Sequence, residues 1–275
     1  MEKGLGELAK AMTSMHWFPV FLSFFLATAR SGSCPSQDAV LEAESVWERA
    51  ISAKGGRGRV LRMENILISS SFTFGPLWTR NHRARFETLL ALPDRAWFYS
   101  DERPYRFGPE WRVVDLRNNY ALDSEDYSNS RLTPTDDDRF ELFKPVLWLL
   151  LETRWQKPRL SSISMRGGLD RTSLRVFGDL NGRHLEYWFD CRTYLAERLF
   201  IRRSTAHGVH VDEFRLGEYS DADGLRLPTI VTQRRSGLPT VRYSVSYQID
   251  VDYDPAIFSG GASLRRGPAG WKRPR

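Results

Sequence analysis

Beyond residue 158 the chain alternates apolar and polar side chains in short runs, the period-2 pattern of half-buried β-strands. The clearest run puts Val241, Tyr243, Val245, Tyr247 and Ile249 on one side and Arg242, Ser244, Ser246 and Gln248 on the other. The stretch 184–203 gives two more strands around a short turn. Leu185, Tyr187 and Phe189 share a face in the first, and Leu199 and Ile201 in the second; Trp188 breaks the pattern as a large ring on the polar side. Strands are expected at 160–166, 173–178, 184–190, 195–203, 209–218, 225–234 and 240–251. Asn181-Gly182, Asp223-Gly224 and Ser236-Gly237 separate several of them with hairpin chemistry. Strand-like runs also occur at 60–74, 84–92, 95–100 and 110–116, with Pro93-Asp94 as a turn.

Consecutive hairpins build an antiparallel up-and-down sheet, and a sheet of about eleven strands must curl. The expected class is therefore mainly β (α+β). Two segments switch to helical spacing. In 37–54, Val40, Ala43, Trp47, Ala50 and Ile51 form one apolar stripe, stopped by Gly55-Gly56. Residues 139–155 are apolar almost all round, so this helix must be covered on several sides, either by plugging a concave sheet or by meeting another hydrophobic body. Between 117 and 138 the chain is polar and ends in Asp136-Asp137-Asp138. Adjacent acids do not converge on a metal without a special loop, so Asp138 is read as a helix cap, with Glu141 completing a capping box.

The N-terminus changes the picture. Lys3 and Lys10 precede an apolar run from Trp17 to Ala29 that ends in Ala27-Thr28-Ala29, the length and cleavage pattern of a signal peptide. The start of the chain is open among Met1, Met12 and Met15. Simple cleavage, lipidation at Cys34 and an uncleaved anchor are all compatible with the run. The expected division is a signal at 1–29, a leader at 30–36, one domain at 37–258 and a basic, disordered tail at 259–275. Cys34 and Cys191 match no metal spacing; in an oxidising compartment they can pair, and otherwise Cys191 is a small strand residue.

The formal charge of +6 is misleading as a total. Residues 1–29 are neutral and the tail carries five bases and no acid, which leaves the body nearly neutral. A nucleic-acid interface is not expected on such a body. The tail is either simply solvated or touches anionic lipid. No nucleophile, nucleotide or zinc motif occurs, and His207 and His210 would point to opposite faces of a strand. No enzymatic activity and no cofactor are expected.

Three stretches carry a family likeness. Tyr187-Trp-Phe-Asp190-Cys-Arg-Thr193-Tyr-Leu195 is similar to a strand followed by an Asp-Pro-x-Thr-x-Leu-Pro turn, with Cys191 and Ala196 in place of the two prolines. Asp223-Gly-Leu-Arg-Leu-Pro228 and the run from Tyr247 to Asp254-Pro255-Ala-Ile-Phe258 are similar to the family's hairpin and its closing segment. In this order they resemble the outer-membrane lipoprotein carrier (LolA-like) superfamily over residues 37–258, as a divergent cell-envelope relative. The resemblance implies a half-barrel of about eleven strands around helices. It also implies a periplasmic protein whose hydrophobic cavity holds a lipid or lipoprotein acyl chain. Relatives on this fold include envelope sensors, so a sensor or protein-interaction module is the alternative. The lining expected for a bound chain is Tyr187, Phe189, Leu199, Ile201, Tyr243, Val245 and Tyr247, with Leu147 and Leu151 on the 139–155 helix as lid.

Overall fold

The computed structural model describes residues 42–74, 82–102, 109–123, 133–151, 158–167, 172–205, 208–259 and 268. All of them belong to the second of two compact units, residues 32–275. The stretch expected to be a signal, Cys34, Val40, residues 152–155, His207 and nearly all of the basic tail lie outside the described residues.

Among the described residues, twelve strands form one antiparallel sheet. The first meander is β1 (Asn65–Phe74), β2 (His82–Ala91), β3 (Arg95–Asp101), β4 (Glu110–Asp115) and β5 (Tyr120–Asp123). The second is β6 (Arg159–Gly167), β7 (Thr172–Leu180), β8 (Arg183–Asp190), β9 (Ala196–Thr205), β10 (Gly208–Ala222), β11 (Leu225–Arg235) and β12 (Val241–Ile249). Pairing of β1 with β12 joins them, so β5 and β6 are the two edges and the curled sheet does not close. The half-barrel reading holds.

Three details differ from the sequence reading. Residues 57–62 form a short helix, α2 (Arg57–Arg62), following α1 (Ala43–Lys54), so the first strand starts at Asn65 rather than at residue 60. The polar segment after residue 116 contains β5, whose four residues are too few for alternation to show. The third helix, α3 (Asp136–Leu149), begins earlier than residue 139 and stops at Leu150, which is left-handed. Its N-cap is Thr135, not Asp138. The Thr135 hydroxyl accepts from Asp138 N–H at 3.2 Å, and the Asp138 carboxylate accepts from Thr135 N–H at 2.7 Å. The capping box thus sits one turn earlier, and all three acids fall in the first turn, where the helix dipole favours them.

β5 and β6 are opposite edges of the sheet, and α3 lies in the segment that joins them. Its Phe140, Leu142, Val146 and Leu147 enter the main core. No helix among the described residues is long and apolar enough to cross a membrane.

Strand parity separates two cores. Ile66 and Ile68 of β1 face the concave side with α1 and α3, while Leu67 faces outward with Leu89, Trp97 and Val113. The closing segment (Pro255–Ser259) folds over that outer face through Ile257 and Phe258, with Arg95 stacked on the Phe258 ring at 4.8 Å. The first meander is therefore apolar on both sides. At the end of α1, Gly55 adopts φ +140°, and a Cβ there would overlap the Gly224 carbonyl in the β10–β11 turn. That contact sets how closely the helix seats on the sheet.

Candidate ligand-binding cavity

Seven of the nine side chains expected to line a ligand site are buried. Tyr187, Phe189, Leu199 and Ile201 are buried in the main core together with Leu147 and Leu151. Trp47 of α1 fills this part of the concave face. Its ring meets Tyr187 edge-on at 5.1 Å and Phe189 at 6.3 Å. The Tyr187 hydroxyl donates to the Leu147 carbonyl at 3.3 Å, and burial raises its pKa. Val245 is buried as well. Tyr247 sits beside Trp148 and donates to the Pro228 carbonyl at 2.6 Å.

Of the nine expected lining residues, Ile201 borders a small cavity of about 380 Å³, and Tyr243 borders one of about 1,090 Å³ on the concave side of β1–β4 and β12. One wall is aromatic: Phe72 stacks on Phe86 at 5.8 Å, and both present edges to Tyr243, at 5.3 and 6.1 Å. Cross-strand register explains the cluster. Ser70 of β1 stands opposite both Phe86 of β2 and Val245 of β12, and Thr88 opposite Phe98 of β3. Same-face neighbours two residues apart on these strands then put Phe72, Phe86, Phe98 and Tyr243 on one surface.

The other wall is polar. On α3, Lys144 pairs with Glu141 at 2.7 Å, and Arg235 of β11 approaches Glu141 at 3.9 Å. Burial opposes the charge on Arg235, yet its bond to Asp212 at 2.9 Å and the nearby acids hold its pKa above the usual value. Arg112 of β4 is salt-bridged to Asp138, and Arg203 of β9 to Asp137. Both halves of the sheet therefore hold the first turn of α3. The Tyr243 phenol is pushed up by burial and by Glu102.

No family model matches this chain, and no curated protein matches it in sequence. Solved structures do match. The crystal structure of a LolA superfamily protein from Nitrosomonas europaea aligns with 80% of this chain and 99% of that chain, at 10% identity and a TM-score of 0.53. The fold is LolA-like. A DUF1329 family protein from Desulfovibrio piger is also similar, at 10% identity and a TM-score of 0.43 over 81% of this chain and 98% of that one.

Within the LolA-like sheet, the Asp190–Leu195 turn keeps its shape without the two prolines. The Asp190 carboxylate accepts from the N–H groups of Arg192 and Thr193, at 3.1 and 2.7 Å, and from the Thr193 hydroxyl at 2.8 Å. Cys191 in this turn is buried and disulfide-bonded. Trp188, the ring on the polar side, lies between the guanidinium groups of Arg175 and Arg198, at 4.9 and 5.0 Å, and donates to Glu186. Phe72, Phe86 and Phe98 were absent from the sequence-based site. Their signal was present as period-2 placement within β1–β3, but nothing in the sequence pairs those strands with Tyr243.

Proposed function

We propose that this chain is an exported, non-enzymatic envelope protein that holds one lipid or lipoprotein acyl chain in the cavity bounded by Phe72, Phe86, Phe98 and Tyr243. The single observation that carries the reading is that cavity, about 1,090 Å³ beside a stacked aromatic wall, on the concave face of a LolA-like sheet. Export is supported by the leader pattern and by the disulfide at Cys191, since disulfides persist in oxidising compartments. α3 bridges the two arms of the sheet at the cavity and serves as its cover. The basic tail adds attraction to anionic lipid.

Affinity in such a site follows chain length. Each buried methylene contributes ~0.8 kcal/mol, about fourfold in Kd. Delipidated protein titrated with fatty acids of increasing length tests this: a stepwise gain supports the reading, and no binding at any length removes it. The second reading, a sensor or interaction module without transport, is favoured by the filled core under Trp47. It requires the same titration to be flat.

A further inference from the structure

Among the described residues, one buried cation on the concave face lacks a salt bridge. Arg183 of β8 and Arg203 of β9 stand opposite each other in register. Like charges so placed repel. Arg203 is answered by Asp137. Both arginines border a second cavity of about 380 Å³, next to His210, Asp212, Glu141 and Arg235. On that wall Asp212 is held by Arg235 at 2.9 Å and Glu141 by Lys144 at 2.7 Å. Each of these acids thus has a cation of its own, and Arg183 is left over.

Arg183 is only 9% exposed, and its Nε has no hydrogen-bond partner among the described residues. Its terminal nitrogens reach two backbone carbonyls, of Asn181 and Asp136, each at 3.5 Å. The Phe140 ring, 4.3 Å from the guanidinium carbon, offers a weaker attraction. Burial and then Arg203 lower its pKa, against a partial offset from Asp136 and Asp137. A buried, under-bonded guanidinium facing a cavity is matched by a planar or tetrahedral oxyanion, which accepts several N–H donors at once.

We propose that the cavity beside Arg183 is an anion site that takes the carboxylate or phosphate group of the amphiphile whose chain occupies the aromatic cavity. The Glu141–Arg235 pair borders both cavities, so head and chain would lie on either side of it. The proposal rests on the ligand reading of the larger cavity.

The test uses delipidated full-length chain at neutral pH with three probes: inorganic phosphate, a medium-chain fatty acid and the fatty alcohol of equal length. The expected result is acid binding at least tenfold tighter than alcohol, with the preference lost in Arg183→Gln, and phosphate competing with the acid. The wild-type acid-to-alcohol ratio needs no variant, so poor folding of Arg183→Gln leaves the test intact. Equal binding of acid and alcohol by the wild type overturns the anion site and leaves the larger cavity standing. Phosphate binding that is lost in Arg183→Gln, with neither long-chain probe bound, supports a site for free anions and overturns the amphiphile.

Discussion

Trp47 of α1 stands edge-on to Tyr187 of β8, 5.1 Å between ring centroids with the planes at 78°. This pair seats α1 on the β8–β9 hairpin within the main core. Trp47 is 2% exposed, so Trp47→Ala opens a void that the surrounding strands can only partly close. Unfolding in urea should show a loss of about 3–5 kcal/mol. A loss below about 1 kcal/mol would mean that the helix is not seated there.

Glu186 gives a pH signature. Burial works to raise its pKa, but bonds from Arg175, Trp188 and Arg202 outweigh it and hold the pKa below the usual 4.5. An acid depressed in the folded state adds stability above its unfolded pKa and loses it as pH falls through the folded one. Glu186→Gln should therefore be less stable than wild type at pH 7, by about 2 kcal/mol. The gap should shrink progressively once the pH drops below about 4.5. A gap that stays constant down to the acid transition would show that the carboxylate charge is not what matters.

The disulfide at Cys191 makes a simple chemical prediction. Full-length chain purified from an oxidising compartment and denatured without reductant should give no reaction with a thiol reagent, and two thiols after reduction. Reduction should also lower stability by about 2–5 kcal/mol. Two titratable thiols before reduction would contradict the bond.

How much of this could be read from the sequence follows from the range of each interaction. Local signals were faithful. Asn181-Gly182 and Asp223-Gly224 turn with the positive φ those residues tolerate, and the alternation of β12 put Tyr243 and Val245 on the concave side. Short or composite elements were lost: β5 is four residues long, and the α3 cap depends on a Thr135–Asp138 exchange one turn before the expected one. The site itself depends on long-range choices. Apolar alternation looks the same whether a helix fills the face or leaves it open. Trp47, more than a hundred residues from Tyr187, decides that for the hairpin at 184–203. The aromatic wall needs β1 to pair with β12, a contact between nearly opposite ends of the domain.

The most direct measurement is photo-crosslinking of a fatty acid with a reactive group near its methyl end, bound to the delipidated protein and mapped by peptide sequencing. The account predicts labels in the strands that carry Phe72, Phe86, Phe98 and Tyr243. Labels confined to the 184–203 hairpin, or no saturable labelling at all, would contradict it.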